Sequence, residues 1–130
     1  MNESLFDTNI IIDHMRGLDG ASDLIEKVRD GSIVGYISII TEAELFVGKE
    51  MEDEGKRAAV VELLSLFNKI DVNESIARIG GEFRRKYGLP FPDALIAATA
   101  FIQRCRILTA NTKDFDKVKE VKAERPYDYG

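Results

Sequence analysis

Short apolar runs rich in β-branched residues alternate along this chain with longer amphipathic stretches, and that alternation restricts the fold more than any other property. Leu5-Phe6, Ile33 to Ile40, Ile70 to Val72, Ile107-Leu108 and Val118 to Val121 read as strands, with Arg125-Pro126 marking the exit from the last. Between them, apolar residues recur at helical spacing from Ala21 to Val28, stopping at Asp30-Gly31, and more strongly through Val60, Val61, Leu63, Leu64 and Phe67. Asn73 has the place of an N-cap for a helix whose stripe runs Ile76, Ile79, Phe83 and Tyr87 before Gly88 and Pro90 end it. Gly80-Gly81 inside that helix costs about 1 kcal/mol per glycine relative to alanine, which predicts close packing there. Strands alternating with helices predict an α/β fold, a three-layer α/β/α sandwich around a parallel sheet of about five strands, with residues 1–130 forming one domain.

A chain of 130 residues is of ordinary domain size and buries about two-thirds of its unfolded surface, so it needs neither disulfides nor structural zinc. Its single cysteine, Cys105, cannot form an internal bridge, and no Cys and His are spaced as zinc ligands. The start, MNESLFDTNIIID, shows no positively charged leader, and no apolar run approaches the ~18 residues that span a bilayer. A soluble, cytoplasmic protein without membrane association is the expectation. The formal net charge of -5 argues against a general nucleic-acid coat protein, so a nucleic-acid substrate would need a local basic patch.

In open parallel sheets, ligands sit at the carboxyl ends of the strands, which makes polar residues just beyond strands the first candidates. Asp7 closes the first strand; it suits an N-cap as well as a functional carboxylate, and Asp13 lies on the helix that follows. Glu44 follows the second strand, and two arrangements are open: Thr41 and Glu44 can form a capping box, or Ser38 can be the cap, which leaves Glu44 free and turns Glu42 elsewhere. Asp93 opens a helix rich in small residues, where the helix dipole alone favours an acid by about 0.3–1 kcal/mol. Thr109, Asn111 and Asp114 lie just past the strand at Ile107-Leu108, in residue types that also form turns. If several of these carboxylates converge, two unit charges about 4 Å apart repel by roughly 4 kcal/mol at an effective dielectric of 20, and a divalent cation relieves that repulsion. Oxygen ligands without Cys or His suit Mg2+ or Mn2+, ions that promote hydrolysis of phosphodiesters.

Four segments, in order, carry a resemblance: Phe6-Asp7-Thr8-Asn9, the SIITEAELFVG of Ser38 to Gly48, the DALIAATA of Asp93 to Ala100, and the LTANTKDF of Leu108 to Phe115. Together they look like the four motifs of the PIN-domain family, over nearly the whole chain, and the subgroup they resemble is the VapC toxins of toxin–antitoxin pairs. The resemblance implies an endoribonuclease dependent on Mg2+ or Mn2+ that leaves a 5′-phosphate by expelling the 3′ oxygen. It makes Asp7, Glu44 and Asp93 the metal-binding acids, with Thr8 and Thr109 as polar neighbours of metal or phosphate. The fourth family position, Asp or Asn, is Asn111 here, with Asp114 in support. The resemblance also implies a homodimer and a small VapB-like antitoxin that wraps the chain and blocks its site.

Among the basic residues, Arg16 and Lys49 flank the acidic motifs and are the candidates for phosphate contact, whereas Arg84-Arg85-Lys86 reads as a solvated helix face. His14, the one histidine, reads as a helix-surface residue, and Cys105 lacks a nucleophile's surroundings. Three rival readings remain. The first is a metal-dependent DNA or structure-specific nuclease, which this chain has little room to equip. The second is a phospho-acceptor signalling domain, which needs an aspartate acceptor at the end of a central strand and a lysine late in the sheet, neither of which the strand reading offers clearly. The third is a PIN-like module that only binds RNA or protein, which Asn111 favours.

Overall fold

The computed structural model describes residues 2–128. Five strands form one sheet in the order β3-β2-β1-β4-β5, and every pairing is parallel. The strands are β1 (Glu3–Phe6), β2 (Val34–Ser38), β3 (Asn68–Ile70), β4 (Arg106–Leu108) and β5 (Ala123–Glu124). The helices are α1 (Thr8–Met15), α2 (Asp19–Arg29), α3 (Ile39–Phe46), α4 (Glu54–Leu64), α5 (Glu74–Tyr87), α6 (Phe91–Gln103) and the short α7 (Thr112–Phe115), with a 3-10 turn at Lys49–Glu52.

Side chains alternate across a strand, so each strand feeds both faces of the sheet. Phe6, Ile37 and Leu108 face a core completed by Ile10 and Ile11 of α1, Ile25 of α2, and Leu63 and Leu64 of α4. Their neighbours Leu5 and Ile107 face the other core, with Ile76 and Phe83 of α5, Ile96 of α6 and Phe115 of α7. Two apolar cores with the sheet between them make the three-layer α/β/α sandwich.

Two small-residue contacts set how α6 lies. Ala94, Ala97, Ala98 and Ala100 are fully buried, which lets α6 come close to the sheet. Gly80 of α5 admits Leu95: a Cβ at that glycine would stand 2.6 Å from Leu95 Cδ2. Gly81 meets nothing within 4 Å, so the close packing expected of the pair belongs to Gly80 alone.

Three strand expectations need correction. The run from Ile70 to Val72 is extended in the sheet only at its first residue: β3 is Asn68–Ile70, and its pairing with β2 ends at Ser38 and Ile70, so Asp71 and Val72 lie past the sheet. The β-branched run from Ile33 to Ile40 does not stay extended: Ser38 accepts a hydrogen bond from the Ile40 amide at 3.1 Å and starts α3, so Ile39 and Ile40 are helical. Val118 to Val121 is not the last strand. The Val118 amide donates to Phe115 and that of Val121 to Val118, a pair of turns that buries Val118 at the end of α7, and the chain joins the sheet only at Ala123–Glu124. Asn73 does cap α5, accepting from the Ile76 amide at 2.9 Å, and Gly88 closes that helix in the left-handed conformation at φ 70°. Among the described residues no helix is long and apolar enough to cross a membrane.

Candidate active site

The chain runs outward from β1 to β2 and β3, then crosses back over β1 to add β4 and β5. The direction of winding therefore reverses at the β1–β4 pair, and the loops leaving the carboxyl ends of these strands part there to open a crevice. Asp7 follows β1 and Thr109 follows β4, so both lie at that point.

Asp7 is 5% exposed and its carboxylate is held on both oxygens. Oδ1 accepts the Thr8 amide at 2.8 Å, which makes Asp7 the N-cap of α1; Oδ2 accepts the Thr109 hydroxyl at 2.7 Å and the Asn9 amide at 3.1 Å. Capping and function are thus compatible in one residue. Burial pushes the Asp7 carboxyl above its ordinary pKa, a shift that the bonds from Thr109 and Thr8 oppose and the nearby Glu44 charge adds to.

With Ser38 as the cap of α3, the capping box drawn from Thr41 does not form and Glu44 lies beyond the first turn. Its Oε1 accepts the Thr8 hydroxyl at 2.6 Å, and Thr8 Oγ1 also stands 3.0 Å from the buried Thr41 hydroxyl. Glu42 turns away to pair with Lys69 at 2.7 Å.

Asp93, half-buried in the first turn of α6, has its pKa raised to about 6, chiefly by desolvation and then by the charges of Asp7, Glu44 and Asp114. Asp7, Glu44, Asp93 and Asp114 therefore share one electrostatic field, although they come from four separate segments. Asp114 differs in kind: the Asn111 side-chain amide donates to its Oδ2 at 3.0 Å and Lys117 lies 3.4 Å from Oδ1, and these partners, Asn111 first, hold its pKa below the usual carboxylate range.

All four acids offer hard oxygen donors, and their mutual repulsion is what a divalent cation would relieve, so the donor chemistry fits Mg2+ or Mn2+. The arrangement falls short of a closed cage. Among the described residues no three His, Cys, Asp or Glu side chains are grouped tightly enough to hold a metal ion as they stand.

Asn9, to which the sequence motifs assign no role, ties these parts together. Its amide nitrogen reaches Asp7 Oδ2 and, at 3.5 Å, Thr109 Oγ1, while its Oδ1 accepts the Ala110 amide at 3.3 Å. The Asn111 amide donates to Thr109 Oγ1 at 2.9 Å, so the loop after β4 is fastened to Asp7 through Thr109 and to α1 through Asn9.

A groove of about 870 Å3 runs from Glu44 between α1, α2 and α4. Ile12, Leu45, Met51, Val60 and Leu63 line it along with Arg16, Arg29 and Lys56. Arg16 and Glu44 line the same groove, while Lys49 is exposed on the 3-10 turn and outside that lining. Arg29 and Lys56 carry no local signal in sequence; only the fold brings them to the groove. His14 also lines it from α1, half-buried with Nδ1 2.9 Å from Ser22 Oγ. Burial pushes the Cys105 thiol up to about 11, which keeps it from serving as a nucleophile.

The sequence profile described as the PIN domain matches residues 4–121. Ribonuclease VapC2 of Methanocaldococcus jannaschii is 32% identical over 133 residues, covering 90% of this chain and 89% of the relative. Ribonuclease VapC19 of Mycobacterium tuberculosis is 36% identical over 117 residues, covering 85% and 90%. Among solved structures, a chain of a toxin–antitoxin complex from Klebsiella pneumoniae superposes with a TM-score of 0.77 at 35% identity, covering 96% of this chain and 98% of that one.

Proposed function

This chain belongs to the PIN-domain family, among its VapC-type members, and on that premise we propose that it is an endoribonuclease dependent on Mg2+ or Mn2+, the toxin of a toxin–antitoxin pair. The observation that carries the proposal is the gathering of Asp7, Glu44, Asp93 and Asp114 from four segments at the carboxyl edge of a parallel sheet, where desolvation first and then the charges of the other three raise Asp93 to about 6.

Asp7, Glu44 and Asp93 would hold the cation, with Asn111 and Asp114 supporting it from the loop after β4. A bound Mg2+ or Mn2+ supplies charge neutralisation for the acids and electrophilic stabilisation of the phosphodiester as negative charge develops. The protein's own part is to fix the donors. Asp7 is locked by Thr8, Asn9 and Thr109; Glu44 is turned toward the site by Thr8; Asn111 holds Asp114. In the proposed reaction a water oxygen bonds to phosphorus as the bond to the 3′ oxygen breaks, the 3′ oxygen takes a proton, and a 5′-phosphate remains. Arg16, with Arg29 and Lys56 along the groove, would receive the RNA backbone charge that the acidic chain as a whole repels.

Relatives of this fold occur in complexes named toxin–antitoxin, which supports a small VapB-like antitoxin as partner. The apolar lining of the groove reaches Glu44, so a partner segment seated there would cover the site. A homodimer is proposed from the resemblance, and Phe91, Phe101 and Ile102 of α6 are exposed apolar residues available to it. The phospho-acceptor reading has against it the surroundings of Asp7, whose hydrogen-bonding partners are Thr8, Asn9 and Thr109 and include no lysine.

Purified protein incubated with RNA and with matched DNA, in Mg2+, in Mn2+ and in chelator, beside Asp7→Asn, tests the assignment. RNA cleavage that needs the cation, is lost in Asp7→Asn and leaves 5′-phosphate ends is the expected result. Products ending in 2′,3′-cyclic phosphate, or cleavage undiminished by chelator, would overturn it.

A further inference from the structure

The residues following β5 reach the loop after β4 that carries Asn111. The Arg125 guanidinium donates to the Ala110 carbonyl at 2.9 Å, one residue past Thr109 and one before Asn111. Two residues on, the Tyr127 hydroxyl donates to Asp13 Oδ2 at 2.7 Å, on α1, the helix that Asp7 caps and Asn9 belongs to. The Tyr127 side chain lies over Gly20 in the first turn of α2, so closely that a Cβ there would stand 2.7 Å from Tyr127 Cβ and Cγ. These are the near end of the side chain, fixed to the backbone, so nothing larger than glycine fits unless the tail itself moves. The glycine, unfavourable in a helix, is what leaves room for the tail.

These contacts close a circuit. From α1, Asn9 holds the Ala110 amide; from β5 onward, Arg125 holds the Ala110 carbonyl; Tyr127 returns the chain to α1 at Asp13. The Thr109 amide, donating to the Glu124 carbonyl at 3.0 Å, is the last sheet contact before the loop. Beyond it the backbone of Ala110, which carries Asn111 toward Asp114, is held on both its amide and its carbonyl by side chains, those of Asn9 and Arg125. β5 is two residues long, too short to fix a loop unaided.

We propose that Arg125 and Tyr127 form a strap that positions the Thr109–Asn111 loop against α1, making them positioning residues for the site that Asn111 and Asp114 support. The proposal rests on the nuclease reading only for its effect on turnover; its effect on the loop can be read without RNA or metal.

The test uses the full chain with Arg125→Ala, Arg125→Lys, Tyr127→Phe and Gly20→Ala. In metal-free protein, hydrogen exchange at the Ala110 and Asn111 amides should quicken about tenfold or more in Arg125→Ala and Gly20→Ala, with the β1 and β4 amides unchanged. Arg125→Lys, which keeps a donor and the charge, should recover most of the protection, and Tyr127→Phe should fall between. On RNA, kcat should drop about tenfold in Arg125→Ala with KM within about twofold, because a loop displaced by an ångström harms alignment more than binding. Unaltered exchange at Ala110 and Asn111 in Arg125→Ala and Gly20→Ala would overturn the strap, as would faster exchange spread evenly over the sheet with a lowered Tm. If wild-type protein cleaves no RNA while the exchange pattern appears, the nuclease reading fails and the strap stands.

Discussion

Thr8 Oγ1 and Glu44 Oε1 are 2.6 Å apart, joining the first turn of α1 to the third helix across 36 positions of sequence. The same hydroxyl lies 3.0 Å from Thr41, so one small side chain both orients an acid of the site and satisfies a buried polar neighbour. Thr8→Val keeps the branched shape and removes the hydroxyl. Leaving Thr41 without this partner should cost about 1–2 kcal/mol in denaturant melts. Letting Glu44 swing free should lower the cleavage rate by roughly 10- to 100-fold. Thr8→Ser should retain most of both, and a Thr8→Val protein that cleaves at the wild-type rate would remove Glu44 orientation from the mechanism.

Asp7→Asn separates charge from capping. Asparagine caps a helix as well as aspartate does, so the bond from the Thr8 amide survives, while the buried charge disappears. Stability without metal should stay within about 1 kcal/mol of wild type, since relief from desolvation offsets the disturbed bond to Thr109. The rise in Tm on adding Mg2+ or Mn2+ should vanish together with cleavage. A normal metal-induced Tm rise in Asp7→Asn would show that the cation is held elsewhere.

The acids also set a pH dependence for the metal-free protein. Asp93 has a folded pKa raised from 3.8 to about 6, so between those values the folded state holds a proton that the unfolded state has released. Folding is then favoured on the acid side of this window and loses stability as pH rises through it, with the loss complete above about 6. Asp7 is shifted in the same direction. In chelator, the Tm of wild type relative to Asp93→Asn should therefore decline from pH 4 to pH 6.5 and then level off. A flat difference would mean that neither burial nor the neighbouring acids raise Asp93 in the folded state.

How much of this could be read from sequence differs from element to element. Strand and helix periodicity locate most of the elements, and Asn73 and Gly88 mark the ends of α5, because capping and left-handed turns are local physics. At Ser38 and Thr41 two hydroxyl residues three apart both suit a cap, and the local pattern does not choose between them; in the fold Ser38 caps α3. Val118 and Val121 are apolar because a turn packs against the core, which periodicity over four residues cannot tell from a strand. The convergence of Asp7, Glu44, Asp93 and Asp114 is a property of strand order, which no local pattern encodes. Asn9, Arg125 and Tyr127 are ordinary surface types by composition, and their roles exist only through contacts across the fold.

The two neighbouring glycines of α5 should part company. Gly81→Ala adds a methyl where nothing lies within 4 Å and gains helix propensity, so it should stabilise by about 0.5–1 kcal/mol. Gly80→Ala drives a Cβ into Leu95 Cδ2 and forces that side chain to another rotamer, which should destabilise by about 1 kcal/mol after the same propensity gain. Because α6 carries Asp93 at its start, Gly80→Ala should also depress cleavage. Equal urea midpoints for the two variants would mean that the α5–α6 approach is looser than the Gly80–Leu95 contact requires.

The basic residues near the acids are distinguishable by salt. Each phosphate neutralised releases counterions, and losing one contact lowers the slope of log K against log salt by about 0.7 on a single strand. Arg16 lines the groove that Glu44 also lines, whereas Lys49 stands outside the lining, so Arg16→Ala should flatten the salt dependence of RNA binding by about one such step and Lys49→Ala should leave it unchanged. Lys56→Ala should resemble Arg16→Ala, because the fold brings it into the lining of the same groove. Binding measured in chelator keeps cleavage out of the reading. A slope lowered by Lys49→Ala and not by Arg16→Ala would move the RNA path off the groove and onto the 3-10 turn.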